Sequence, residues 1–489
     1  MTKICVAQIN FTVGDINGNT KKILDSIAKA QVQGIDLILF SELSLCGYPP
    51  EDLVFHRSFI ASMQLHLERI IKASKGIIVL VGIVRERDFE GEKAFLNSAA
   101  IIYDEKLIGF QDKALLPTYD VFNERRYFEP GIENKPWEVA GHKFGVVICE
   151  DIWQHAGFIE YTQYFRDPIQ ELAEHKLDFL LNLTASPYQC QKPDVRVEVC
   201  SIAAKTLKCP VVMCCQVGAN DQIIFDGYSI HVDAQGTLVN LAKGFTDDEM
   251  CIDLNSGLKQ TSFQYHPKDN LLSALTLGVK DYFAKCNFTK ACFGLPGGID
   301  SALVAYIAAE ALGKENVLSI FMPSKYTSEQ SKHDAQALSK NLGMELIEIP
   351  IEPLMDQFLN TMHPFFKGKK EDVTEENMQA RIRGNILMAM SNKHGHIVLS
   401  TGNKSESALG FSTLYGDMCG GLAVIGDVNK TQVYDLCRHI NSKNGKDIIP
   451  HSVITKPPSA ELRPNQIDLD RLPEYGIIDN ILERYVENY

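Results

Sequence analysis

The chain has 489 residues, of which 45% are hydrophobic and 22% charged, and its formal net charge is −14. That length is beyond what one hydrophobic core sustains, which predicts two domains, and the composition is globular, so disorder is not the default. The acidic balance argues against a broad nucleic-acid or anionic-membrane surface, because Lys and Arg hold such partners, and small-molecule substrates are expected instead.

The chain opens on Met1-Thr2-Lys3-Ile4-Cys5-Val6-Ala7, a strand-like run without the longer apolar core and cleavage site of a signal peptide. No apolar stretch of about 20 residues is present to span a bilayer, and the expected location is the cytoplasm. Strand-like runs follow at residues 36–40, 76–84, 98–103, 144–148, 179–182 and 211–213, with amphipathic helical spacing at 21–33 and 59–72. These predict a layered α/β domain over residues 1–255. Residues 255–270 turn polar and contain Gly257 and Pro267, which marks a boundary. From there, helix 271–285, strand 291–295, helix 301–312, strand 317–322, helix 329–342 and strand 346–350 alternate, which predicts a doubly wound parallel sheet over 256–489. The basic cluster Lys367-Gly368-Lys369-Lys370 runs into Glu371 and Asp372 and reads as a solvated loop. Thirteen cysteines without CxxC pairing or zinc-finger spacing read as reduced, mostly buried thiols.

In the first half, three apolar runs deliver reactive side chains at their ends. Residues 36–40 lead to Ser41-Glu42, 108–110 lead to Gln111-Asp112-Lys113, and 144–148 lead to Cys149-Glu150-Asp151. A carboxylate, an ammonium and a thiol supply a base, an oxyanion partner and a nucleophile for acyl transfer. Glu42 in Ser-Glu-Leu-Ser-Leu-Cys-Gly-Tyr-Pro-Pro, Lys113 in Lys-Ala-Leu-Leu-Pro-Thr-Tyr-Asp-Val-Phe-Asn-Glu-Arg-Arg and Cys149 in Ile-Cys-Glu-Asp-Ile-Trp resemble the triad of the nitrilase (carbon-nitrogen hydrolase) family. The resemblance implies an α-β-β-α sandwich in which Cys149 forms a thioester with a primary amide, Glu42 is the general base and Lys113 steadies the tetrahedral intermediate. Glutamine-using members hold their substrate with a Tyr six residues after the Lys and with a Ser and a Lys after the Cys. Tyr119, Ser186 and Lys192 match, so glutamine is the implied amide.

In the second half, Gly294-Leu295-Pro296-Gly297-Gly298-Ile299-Asp300-Ser301 lies between a strand and a helix, where backbone N–H groups and the helix dipole favour a polyphosphate. No Gly-Lys-Ser/Thr closes it, so it is not a P-loop. It resembles the Ser-Gly-Gly-x-Asp-Ser loop of ATP pyrophosphatases. Glu376-Asn377-Met378-Gln379-Ala380-Arg381, Thr401-Gly402-Asn403-Lys404-Ser405-Glu406, Tyr415-Gly416-Asp417 and Pro457-Pro458-Ser459-Ala460-Glu461-Leu462-Arg463-Pro464 follow in the order seen in NAD synthetases. Together with the nitrilase-like half, the resemblance is to the glutamine-dependent branch and covers nearly the whole chain. It implies an adenine-nucleotide α-hydrolase-like domain, with Gly294 through Ser301 and Thr401 on ATP, Asp300 and Glu406 on Mg²⁺, and Asn377, Lys404 and Glu406 facing deamido-NAD. It also implies a homo-oligomer. Pro296 stands where the family loop has Ser, Gly426 where a Lys is common, and the sequence ends at Tyr489, where family members usually continue with a basic segment. A second reading keeps the amidohydrolase and takes the C-terminal domain as nucleotide-binding but impaired as a ligase by Pro296 and the want of that basic segment. Pyrophosphate release from ATP separates the two.

Overall fold

The computed structural model describes residues 2–158, 162–254 and 261–487, so the expected boundary between Asn255 and Ser256 lies outside the described residues. The chain divides into two compact units, Met1–Pro267 and Lys268–Tyr489.

The first unit runs through β1 (Lys3–Gln8), α1 (Ile16–Val32), β2 (Leu37–Phe40), α2 (Arg57–Ala73), β3 (Ile78–Glu86), β4 (Phe95–Tyr103), β5 (Lys106–Asp112), β6 (Trp137–Val139) and β7 (His142–Ile148). It continues through α3 (Trp153–Ala156), α4 (Pro168–Ala173), β8 (Phe179–Thr184), α5 (Lys192–Leu207), β9 (Val211–Cys215), β10 (Val217–Asn220), β11 (Ile223–Asp226), β12 (Ile230–Val232), β13 (Leu238–Leu241) and β14 (Asp248–Asp253). One sheet has the order β14-β1-β2-β3-β4-β5 and the other β13-β12-β9-β8-β7-β6. The central strands are parallel and buried on both faces, which is why they read as unbroken apolar runs. Within β2, Leu37 and Leu39 join Val146, Ile148, Leu181 and Leu183 in the layer between the sheets. Ile38 and Phe40 point the other way, onto Ile23, Ile27, Met63 and Ile70 of the α1–α2 layer. On the second sheet, Val147, Leu180 and Val211 pack beneath Leu172, Val199, Cys200 and Ala203 of α4 and α5. The layers therefore stack α-β-β-α, and α1 starts where the Asp15 carboxylate accepts the Gly18 N–H at 2.9 Å.

The second unit contains α6 (Pro267–Lys285, opening at the unit boundary), β15 (Ala291–Gly294), α7 (Ile299–Leu312), β16 (Val317–Phe321), α8 (Glu329–Leu342), β17 (Glu345–Glu348), α9 (Glu352–Phe366) and α10 (Val373–His394). After these come β18 (Ile397–Ser400), α11 (Lys404–Leu409), β19 (Leu422–Ala423), α12 (Lys430–Asn444), α13 (His451–Thr455) and α14 (Tyr475–Leu482). Every pairing is parallel and the order is β17-β16-β15-β18-β19, so the strand order reverses between β15 and β18. In such a sheet the ligand crevice lies beyond the carboxyl ends of the strands at that switch point. Helix α7 is buried from Ile299 to Ala308 apart from Asp300, and it carries the core of this unit. Among the described residues no helix is long and apolar enough to cross a membrane. All thirteen thiols are free, and the Lys367–Lys370 cluster is exposed.

Candidate active sites

Four strands of the first unit hand over the groups of one site. Glu42 lies two residues past β2, Lys113 directly follows β5, Cys149 directly follows β7, and Ala185 directly follows β8. Glu42, Lys113 and Cys149 are 1%, 1% and 3% exposed, so their charges interact with little screening by water. Lys113 Nζ donates to Glu42 Oε1 and to Glu124 Oε1, both at 2.7 Å. Glu42 Oε1 also accepts from Asn97 Nδ2 at 2.7 Å, and its Oε2 accepts the Ala185 N–H at 3.0 Å. Tyr48 Oη donates to Glu124 Oε1 at 2.7 Å. Burial by itself pulls the Lys113 ammonium down, but Glu124 and Glu42 outweigh it and hold the group well above its usual range as a cation. Burial, then the Glu42 carboxylate, push the Cys149 thiol up against the opposing pull of Lys113, so the nucleophile rests protonated beside its base. Burial lifts Glu124 to about 7 despite Lys113. Cys149 itself sits at φ +44°, and its N–H is held by Asn182 Oδ1 at 3.0 Å.

Of the groups expected to bind glutamine, Tyr119 and Lys192 interact electrostatically with this thiol. Tyr119 Oη donates to both oxygens of Glu150 at 3.0 Å, and Tyr164 Oη donates to Glu150 Oε1 at 3.0 Å. Lys192 opens α5. Burial and then the neighbouring Arg196 lower its pKa to about 8, while Cys149, Asp226 and Glu150 act in the opposite sense. Ser186 is buried next to Ala185, and its carbonyl accepts from Arg196 Nη2 at 3.1 Å. This places a cation and hydroxyls beside a thiol, a set that matches an amino-acid amide.

The second site is a cavity of about 320 Å³ in the second unit, at the switch point. After β15 it is lined by Pro296, Gly298, Asp300 and Ser301, and after β18 by Ser400, Thr401 and Gly402. Gly297 turns the chain at φ +87°, where a Cβ would lie 2.4 Å from the Ser331 carbonyl oxygen, so only glycine fits. Gly298 begins α7 without a side-chain cap, leaving the first-turn N–H groups and the positive end of the dipole at the cavity wall. Asp300 Oδ1 accepts from Asn403 Nδ2 at 2.8 Å. Lys430 Nζ donates to Asp300 Oδ2 at 2.6 Å and to Glu406 Oε1 at 3.0 Å. Burial, then Asp300, raise Glu406 to about 7, and Lys430 offsets the repulsion between the two carboxylates. Two hard oxygen donors on one cavity fit Mg²⁺, which is held by one or two carboxylates together with substrate phosphates.

Residues 3–258 match the carbon-nitrogen hydrolase family and residues 271–489 match NAD synthase. The glutamine-dependent NAD(+) synthetase of Synechocystis sp. is 46% identical, with 100% of this chain and 89% of that protein covered. The chain belongs to the glutamine-dependent NAD(+) synthetase family. A second member, from Thermotoga maritima, is 41% identical over 99% of this chain and 88% of its own length. The family member of Acinetobacter baumannii, solved in complex with adenosine diphosphate, superposes with a TM-score of 0.87 at 36% identity, covering 100% of this chain and 88% of that one.

Within this family member, the expected ATP and metal residues fall unevenly around the cavity. Pro296, Gly298 through Ser301, Thr401 and Glu406 line it, whereas Gly294 ends the strand beneath, Leu295 follows it and Gly297 forms the turn. Asn377 on α10 accepts from Thr413 Oγ1 at 2.9 Å, and Lys404 on α11 is paired with Asp427 at 2.7 Å and with Glu487; neither lines the cavity. Sequence reasoning passed over Glu124 and Lys430. Glu124 stood inside the quoted Asn-Glu-Arg-Arg stretch, and Lys430 opens α12 behind Asn429, with nothing local to tie it to Asp300.

Proposed function

We propose that Glu42, Lys113 and Cys149 generate ammonia from glutamine, and that the Gly294–Ser301 loop with Thr401, Glu406 and Lys430 carries the ATP-dependent step, within a division of the chain at residues 255/256. The family reaction hydrolyses glutamine, adenylates deamido-NAD with ATP as co-substrate, and amidates the adenylate to NAD. The observation that carries the reading is the buried Lys113 ammonium bound to Glu42 beside the Cys149 thiol.

In the first site the thiol proton passes to Glu42, and the thiolate attacks the side-chain amide carbonyl of glutamine. The oxyanion is neutralised by Lys113, and the proton on Glu42 moves to the amide nitrogen as ammonia departs. Water, deprotonated by Glu42, then cleaves the thioester to glutamate. Tyr119, Ser186 and Lys192 hold the amino-acid end of the substrate, with Lys192 opposite its α-carboxylate. In the second site the α7 N-terminus and Lys430 hold the ATP phosphates while the nicotinate carboxylate displaces pyrophosphate, and ammonia then displaces AMP. Asp300 and Glu406 are the residues that would hold Mg²⁺, which supplies neutralisation of phosphate charge. Asn377 and Lys404 are assigned to deamido-NAD on the family resemblance. Thirteen free thiols fit a reducing cytoplasm, and the same resemblance makes the chain a homo-oligomer, measurable by light scattering.

Acid-quenched turnover of glutamine should leave a γ-glutamyl group on the peptide containing Cys149, read by mass spectrometry. Continued turnover with the adduct on another residue would overturn the assignment.

A further inference from the structure

The reactive groups of the first site stand on different sheets. Lys113 directly follows β5 of one, and Cys149 directly follows β7 of the other. The sheets meet through an apolar layer, and apolar packing is non-directional, so it sets their spacing without fixing the loops at their ends to a fraction of an ångström. Polar ties between the loops have to do that. Asp151 is 0% exposed, and all of its hydrogen bonds go to backbone donors. Its Oδ1 accepts the N–H groups of Ala114 at 3.0 Å and Leu115 at 2.8 Å, and its Oδ2 accepts the Ile148 N–H at 2.9 Å. The first two donors follow Lys113 directly, and the third precedes Cys149.

We propose that Asp151 is a positioning residue for glutamine hydrolysis, a strut that ties the segment carrying Lys113 to the turn carrying Cys149 across the two sheets. The inference rests on the assignment of Lys113 and Cys149 made above. Three backbone donors oppose the burial of its carboxylate without cancelling it, and burial still lifts the Asp151 carboxyl to about 7. The Lys113 backbone N–H is bound within its own sheet by the Asn97 carbonyl at 2.8 Å, and Asn182 takes the Cys149 N–H in the other. Each loop is thus anchored to its own sheet. Asp151 joins the two loops, alongside the bond from Ala185 to Glu42. A shift of Lys113 separates the ammonium from the oxyanion, while Ser186 after β8 and Lys192 at the start of α5 stand on other segments.

Asp151→Asn keeps the size of the side chain and turns an N–H donor against one of the three backbone donors. It should lower kcat for glutamine hydrolysis roughly 100-fold, with KM for glutamine within about threefold and ammonium-supported NAD formation unchanged. Asp151→Glu, which restores the carboxylate, should regain about tenfold of that loss, and it supplies the reading if the Asn variant does not fold. The proposal is overturned if kcat stays within about threefold of wild type, or if the glutamine- and ammonium-supported rates fall in parallel. Cys149→Ala, run alongside, separates the two levels. If it still hydrolyses glutamine, the triad itself is misassigned, whereas an inert Cys149→Ala beside a fully active Asp151→Asn removes the strut alone.

Discussion

Lys192 shows how a single side chain ties the pH response of the enzyme to burial. Burial and Arg196 bring its pKa down to about 8, so the cation is present below that pH and is lost as pH rises through it. KM for glutamine should therefore climb above pH 8 while kcat holds, and in Lys192→Arg the climb should vanish because a guanidinium stays protonated. A KM that is flat to pH 9 in the wild type would contradict the role given to Lys192. Glu124 is the second carboxylate on Lys113, and Glu124→Gln removes its charge while keeping its shape. Steady-state assays should show kcat for glutamine hydrolysis lower by roughly 10²- to 10⁴-fold, with ammonium-supported NAD formation retained.

At the scale of elements, the segment carrying Ser186 is braced by α5 and β11. Arg196 and Asp226 form an ion pair at 2.7 Å, each side chain 1% exposed, and Arg196 also holds the Ser186 carbonyl. Arg196→Met would leave Asp226 buried and unpaired, and denaturant unfolding should show a loss of about 3–5 kcal/mol in the first unit. In the second unit the turn into α7 has no room for a Cβ at Gly297, and Pro296 places a residue without an N–H on the cavity wall. Pro296→Ser should lower KM for ATP several-fold in the coupled assay; a raised KM would show that the proline ring itself contributes. These two elements also mark what the sequence disclosed. The strands carrying Glu42, Cys149 and the Gly-rich loop were legible because burial leaves continuous apolar runs, and boundaries shifted by only a few residues in β2, β3, β4 and β8, whereas β5, which leads to Lys113, is an edge strand exposed over its first half. The short antiparallel strands β10 to β14 were not read, since runs of three to six residues are too short to carry a clear period. Glu124, Lys430 and the strut formed by Asp151 were hidden for a different reason. Each acts through a partner 11 to 130 residues away, and only the folded chain brings those partners together.

At the scale of the whole molecule, two chemistries share one chain, and metal dependence should separate them. Chelation with EDTA should stop NAD formation from either nitrogen source while basal glutamine hydrolysis continues, because the proposed Mg²⁺ ligands Asp300 and Glu406 line the cavity of the second unit. The most direct test of the account is NAD formation from deamido-NAD, ATP and Mg²⁺ by wild type and Cys149→Ala, each with glutamine and then with ammonium. The account predicts that wild type uses both nitrogen sources and that Cys149→Ala uses ammonium alone. Glutamine hydrolysis without NAD from either source would contradict it, and so would glutamine-supported NAD formation that survives the loss of Cys149.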